Sequence, residues 1–190
     1  TNILTDENRA ILIAHGNLRD VIKELDKLLD YWITITGEII IGLITHTNPE
    51  GLRTALVQLH HAHILTDENK ASVTAHSDPE LLGKTLVQLH EVDILTDENR
   101  TAVVTHANYN ILGNALVWLH SFNILTDEYR AVAIAHTNPN GLGYALGRLH
   151  KADILTDENR AIIIAHDNLW SVAKGLTALS DANILTSENV

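Results

Sequence analysis

Apolar and polar positions recur along this chain in a thirty-residue cycle. Ile64-Leu65-Thr66-Asp67-Glu68-Asn69 returns as Ile94-Leu95-Thr96-Asp97-Glu98-Asn99, and the hexad or a near copy starts again at Ile3, Ile124, Ile154 and Ile184. No strand-like alternation interrupts it. A cycle of this length built from helix patterns predicts helical hairpins that share their core with neighbours, because two short helices alone leave an apolar stripe uncovered. The units run about 3–33, 34–63, 64–93, 94–123, 124–153 and 154–183, and 184–190 opens a further one. The expected fold is all-α, a right-handed α-solenoid of tandem 30-residue helix-turn-helix repeats forming a single repeat domain over residues 1–190.

The unit from Ile124 to Asp153 shows how the hairpin is written. Thr126 precedes a short apolar body, Ala131 to Ala135, and its hydroxyl is placed to accept from the free N–H groups of the first turn. Asp127 and Glu128 set negative charge at the positive end of the helix dipole. His136 closes this helix A, where an imidazole can meet the free carbonyls of the last turn. Asn138-Pro139 then joins an N-cap to a proline at the first helical position, where its missing N–H breaks no bond. Leu142, Ala145, Leu146 and Leu149 recur at i, i+3, i+4 and i+7 and form the stripe of helix B, which ends near His150. Gly83, Gly113 and Gly143 share one helix B position. Glycine weakens a helix there unless a neighbour needs the space, which predicts contact points between successive hairpins.

Two units depart from this grammar. After Asn17 the first unit carries Arg19, Asp20, Lys23, Glu24, Asp26, Lys27 and Asp30 and is one residue longer, a pattern that suits a capping repeat. The second unit reads Thr36-Gly37-Glu38-Ile39-Ile40-Ile41 where others have Thr-Asp-Glu-Asn-Arg-Ala. Ile39 and Ile40 are expected to repack against the longer first helix, the alternative being an exposed apolar patch for a partner.

Composition narrows the function classes. Hydrophobic residues make up 45% of the chain, aromatic ones 4%, and only three are proline, which suits a packed, soluble helical array. No apolar run approaches the roughly 18 to 20 residues that cross a bilayer, so no membrane association is expected. A formal charge of −11 disfavours nucleic acid, whose backbone is held mostly by Lys and Arg, and favours basic or neutral partners. The absence of cysteine excludes disulfides, thiolate zinc sites and thiol catalysis, and leaves the compartment open, cytoplasmic or secreted. Both ends fall at the same phase of the repeat and methionine is absent, so the natural protein is expected to extend further in one or both directions.

Three features could carry chemistry. Histidines form two ladders, His15, His46, His76, His106, His136 and His166 after helix A, and His60, His90, His120 and His150 near the end of helix B. Packed helices stand about 8–10 Å apart, whereas zinc ligands lie about 2 Å from their metal, so the ladders read as caps rather than as a metal array. A collective titration near pH 6 is the functional alternative. His60-His61-Ala62-His63 could hold a metal adventitiously, and no dedicated metal or cofactor is expected. The acidic pairs Asp67/Glu68, Asp97/Glu98, Asp127/Glu128 and Asp157/Glu158 each have a Lys or Arg (Lys70, Arg100, Arg130, Arg160) three residues on from the Asp. Capping and local ion pairing explain them better than acid–base catalysis. No phosphate loop, nucleophile elbow or HExxH pattern occurs, so no catalytic residue is assigned and the chain is read as no enzyme.

The third feature is the variable face of helix B. Glu80, Lys84, Gln88 and Glu91 change to Asn110, Asn114, Trp118 and Ser121, then to Asn140, Tyr144, Arg148 and Lys151, then to Trp170, Lys174, Ala178 and Asp181. Spacings of four, four and three keep each set on one helical face. Trp, Tyr and Arg anchor interfaces more than other residue types, so Trp118, Tyr144, Arg148 and Trp170, with Lys84 and Asn114, are the candidate partner-binding residues.

Leu155-Thr156-Asp157-Glu158 followed by Ile164-Ala165-His166-Asp167 resembles the Leu-Thr-x-Glu and Ala/Ser-His-Asp segments of transcription-activator-like effector repeats, which are DNA-binding helical hairpins. The resemblance covers about half of each unit. It implies base contacts from the residue after the histidine, here Gly16, Thr47, Ser77, Ala107, Thr137 and Asp167. This chain departs from that family in having shorter repeats, Asn-Pro in place of the glycines after the reading residue, and Glu50 and Glu80 where phosphate-binding groups belong. In general style the repeats are also similar to the helical repeats of secreted bacterial effectors. The expected function is a protein-binding scaffold acting through helix B. The alternatives are a nucleic-acid module reading through its inter-helix loops, and an architectural spacer.

Overall fold

Alternating cap signals and apolar stripes produce alternating helix lengths. The computed structural model describes residues 18–182, which form eleven α-helices and no strand. The nine-residue A helices are α2 (Gly37–Thr45), α4 (Asp67–Ala75), α6 (Asp97–Thr105), α8 (Asp127–Ala135) and α10 (Asp157–Ala165). The thirteen-residue B helices are α1 (Leu18–Asp30), α3 (Pro49–His61), α5 (Pro79–Glu91), α7 (Tyr109–Ser121), α9 (Pro139–Lys151) and α11 (Leu169–Asp181). The expected first helix of the first unit, with His15 and Gly16, lies outside the described residues.

Each A helix starts where its threonine places it. The hydroxyls of Thr36, Thr66, Thr96, Thr126 and Thr156 accept from the N–H three residues on, at 3.2 to 3.4 Å. Asn48, Asn138 and Asn168 do the same for α3, α9 and α11, accepting from Gly51, Gly141 and Ser171 at 2.9, 3.0 and 3.3 Å. The B helices end in a left-handed residue. His63, Asp93, Asn123 and Asp153 have φ between 57° and 63°, and the Ile64, Ile124 and Ile154 N–H groups turn back to the carbonyls of Leu59, Leu119 and Leu149. Such a corner satisfies the last free carbonyls, and Asn or Asp tolerates its φ better than most residues. Trp32 takes the same corner, at φ 59°, and is 90% exposed.

The helices fall into two compact units divided between Glu91 and Val92. In the first, α3 packs between α1 and α5, while α2 and α4 fill the sides. In the second, α9 packs between α7 and α11, with α6, α8 and α10 beside them. The B helices therefore carry most of each core, joined in the first unit by Ile39, Ile40, Leu43 and Ile44 of α2. Leu52, Leu56 and Leu59, Leu82, Leu86 and Leu89, Leu112, Leu116 and Leu119, and Leu142, Leu146 and Leu149 are buried almost completely, whereas α4, α6, α8 and α10 each bury one apolar residue, Val73, Val103, Ala133 and Ile163. Close approach is set by small residues. A Cβ built on Gly83 would meet the Ala55 Cβ at 2.9 Å, and one on Gly143 the Ala115 carbonyl at 2.8 Å. Gly113 is buried as well.

A buried asparagine fastens the turn between hairpins. Nδ2 of Asn69, Asn99 and Asn159 donates to the carbonyls of Ile64, Ile94 and Ile154 at 2.8, 2.7 and 2.8 Å. Arg130 of the following hairpin then donates Nε to Oδ1 of Asn99 at 2.6 Å. Where Tyr129 replaces the asparagine, Arg160 lies over the ring at 6.0 Å and pairs with Glu128 at 2.8 Å instead. Ile39 takes the asparagine position in the second repeat, residues 34–63. It and Ile40 are buried, so this departure is core filling rather than an exposed patch. In α1, Glu24 is buried between Lys27, at 3.0 Å, and Arg53 of α3, at 2.6 Å. Burial raises this carboxyl, and hydrogen bonds and charge from Lys27 and Arg53 outweigh it and hold it below the usual carboxylate range.

Candidate functional site

Side chains that leave the leucine stripe repeat every thirty residues, so successive B helices of one unit place equal phases side by side. In the second unit this brings the large variable residues into one diagonal row. Trp118, Tyr144 and Trp170 step by 26 residues, one helical turn short of the repeat. Tyr144 stacks on Trp170 with centroids 4.1 Å apart and planes at 16°, and meets Trp118 edge-on at 5.7 Å and 87°. Trp118 stacks in turn on Phe122 at 6.0 Å and 19°. Trp118 is 39% exposed and Trp170 56%, so the row keeps apolar surface in water.

Phe122 fits because of a second local departure. It follows α7 where other units have Ala62, Val92, Ala152 or Ala182, and its ring occupies the space over Gly147 that a Cβ would fill. Gly147 stands where the other B helices carry Val57, Val87, Val117 or Thr177. Arg148 is held on two sides, donating Nε to the Thr177 hydroxyl at 3.3 Å and Nη1 to the Tyr144 hydroxyl at 3.5 Å. Thr177 donates its own proton to the Ala173 carbonyl at 2.7 Å, which leaves its lone pairs for the guanidinium. Phe122, Tyr144, Arg148, Lys151, Ala152 and Thr177 line a groove of about 450 Å³.

The electrostatics of the row differ from those of the A helices. Arg100, Arg130 and Arg160 pair with Asp97, Asp127 and Asp157 at 2.7 to 3.1 Å, as the three-residue spacing predicts. At this edge Glu98 is held below the usual carboxylate range, first by its own backbone N–H and then by the Thr96 hydroxyl, and Arg160 is raised by Tyr129. No ion pair engages Arg148, Lys151 or Lys174 among the described residues, and all three stand on B helices.

Of the six residues expected at a binding face, four converge: Trp118, Tyr144, Arg148 and Trp170. Asn114 sits half-buried one turn before Trp118 on α7. Lys84 belongs to α5 of the first unit and pairs with Glu80 at 2.9 Å, so its charge is already engaged. Phe122, Thr177 and Gly147 were not visible as site residues in the sequence, while Lys151 lay on the variable face without being one of the six candidates. The simultaneous arrival of a phenylalanine and a glycine where other units have smaller and larger residues was the signal available.

The loop positions Thr47, Ser77, Ala107, Thr137 and Asp167 are exposed, each between a histidine and the cap of the next helix. These loops and the first helical turns after them hold Glu50, Asp78, Glu80 and Asp167 and no Lys or Arg.

The histidines at these loops bond the turn that follows them, and the helix A carbonyl that His106 meets, Ile134 of α8, belongs to the next hairpin rather than to its own. Nδ1 of His46, His76, His106, His136 and His166 accepts from the backbone N–H two residues on, at 2.9 to 3.1 Å. A neutral ring then carries its proton on Nε2, which in His46 donates to the His76 carbonyl at 2.8 Å and in His106 to the Ile134 carbonyl at 3.2 Å. All five fasten the turn into helix B, and His46 and His106 also tie it to the next hairpin. Among the described residues no group of three or more histidine or carboxylate side chains is arranged to hold a metal ion, and no helix is long and apolar enough to cross a membrane. No protein-family model and no curated protein matches the sequence.

Proposed function

We propose that this chain is a non-enzymatic repeat scaffold, a right-handed α-solenoid that binds a protein partner through the variable face of its B helices. The observation that supports the reading is the row of Trp118, Tyr144 and Trp170 beside the unengaged cations of α9 and α11. Exposed aromatic side chains fixed on rigid helices lose little freedom on binding and offer large contact areas, as interface anchors do. The solenoid part of the reading draws on the shared step within each unit, where B helix packs on B helix through Gly83 against Ala55 or Gly143 against Ala115.

A transcription-activator-like mode would set Thr47, Ser77, Ala107, Thr137 and Asp167 against bases. It would also press Glu50, Asp78 and Glu80 towards phosphates with no Lys or Arg in those loops, so the B-helix face is the better supported surface. A pure spacer would leave that face inert.

A displayed library of random peptides selected against the native chain and against a Trp118→Ala/Tyr144→Ala/Trp170→Ala variant tests the reading. Binders that enrich on the native chain and are lost on the folded variant support it. If no sequence enriches on the native chain above the variant, the B face is no recognition surface and the scaffold reading fails.

A further inference from the structure

An aromatic row alone says little about what covers it, but the charges around it do. Arg100, Arg130 and Arg160 are each engaged by a carboxylate of their own or the preceding A helix, whereas Arg148, Lys151 and Lys174 are not. In a chain of formal charge −11, unneutralised cations gathered on one face mark a place where negative charge is wanted from outside. Arg148 is also pre-oriented. Thr177 and Tyr144 take Nε and Nη1, which leaves Nη2 as a donor on a side chain that lines the groove. A planar guanidinium fixed in this way recognises a carboxylate by direction as well as by charge. Lys151, one turn on from Arg148, lines the same groove, and Phe122 and Tyr144 form its apolar wall.

We propose that this groove binds an acidic, aromatic-containing peptide segment. A carboxylate pairs with Arg148 and Lys151 while a neighbouring apolar side chain lies on the Phe122–Tyr144–Trp170 row. The assignment rests on the scaffold reading and names its partner's chemistry. A nucleic-acid strand shares the negative charge and is disfavoured on two grounds. Tyr144 and Trp170 already occupy each other's faces at 4.1 Å, leaving mostly edges for a base. A phosphate at every nucleotide would also meet the net negative field of the chain, which one or two peptide carboxylates confined to the groove avoid.

Fluorescence-anisotropy titration of the full chain with four labelled probes tests this. The probes are a short peptide alternating Glu or Asp with Phe or Leu, the same peptide with Gln and Asn for its acids, the acidic peptide with Gly for its apolar residues, and a short oligo-dT. The acidic apolar peptide should bind about tenfold or more tightly than each other probe, the difference made by one charged hydrogen bond. Arg148→Gln should remove most of that advantage, Trp170→Ala should weaken both apolar peptides, and Lys70→Gln, a cation paired with Asp67 in the first unit, should change nothing. Circular dichroism of each variant checks that helices persist. Equal binding of the acidic and amide peptides, preference for oligo-dT, or indifference to Arg148→Gln in a folded variant overturns the inference, as does a lack of binding to all four probes. Library binders that are neutral or basic overturn it while leaving the scaffold reading intact; absence of any library binder removes both.

Discussion

Single side chains here act mostly by joining one hairpin to the next. Asn99 spans three elements, donating to Ile94 and accepting from Arg130, and His46 and His106 do the same with their two ring nitrogens. Glu24 is the charged example. It is 4% exposed and bridges α1 to α3 through Arg53. Because its folded carboxyl titrates below the ordinary value, its contribution is complete above the unfolded pKa of about 4.3 and is lost as the pH falls through the lowered folded value. Glu24→Gln should therefore lower unfolding free energy at neutral pH by about 2 kcal/mol, the scale of a charged hydrogen bond. Denaturant melts of both proteins across the acid range should show the gap closing once Glu24 is protonated. A gap that widens in acid would contradict the assignment.

At the scale of the helix, the A and B elements divide the work. The A helices are nine residues long, and all but α2 bury little, so caps at Thr66, Thr96, Thr126 and Thr156 and their i,i+3 ion pairs matter to the definition of α4, α6, α8 and α10. The B helices supply the leucines. Leu146 is 0% exposed at the centre of α9, which packs against both α7 and α11. Leu146→Ala should cost about 2 to 5 kcal/mol, as cavity-forming truncations do. Ile134→Ala, at a site 38% exposed on α8, should cost far less. Equal costs in chemical denaturation would mean that the core is not centred on the B helices. The same element logic explains why aromatic residues can vary on the opposite face: the stripe that folds the helix and the face that meets solvent share no positions.

For the molecule as a whole, charge and periodicity set the terms. The acidic pairs recur at the N-termini of α4, α6, α8 and α10 and add to the net negative charge of the chain, while the local Asp–Lys and Asp–Arg pairs are short and partly exposed. Raising salt from about 0.05 to about 0.5 M screens the long-range repulsion more than the contacts. The melting temperature should rise by a few degrees, read by circular dichroism at helical wavelengths. A fall would show that the ion pairs outweigh the net charge of −11.

Caps, helix lengths and the identity of the buried leucines were legible in the sequence, because each is decided within a few residues: a Thr or Asn oxygen reaches the N–H three positions on, and a 3.6-residue period selects one face. The thirty-residue phase also placed Trp118, Tyr144, Arg148 and Trp170 on a common face. What needed the tertiary structure was which phases touch. Trp118, Tyr144 and Trp170 differ by one turn in each repeat, so they meet only because neighbouring B helices pack with an offset, and Phe122 joins them only because Gly147 leaves room in the next helix. Lys84 and Lys151 look alike in the sequence, yet packing leaves one paired with Glu80 and the other lining the groove. Distances between elements, and the charges they neutralise, are properties of packing, and no local pattern encodes them.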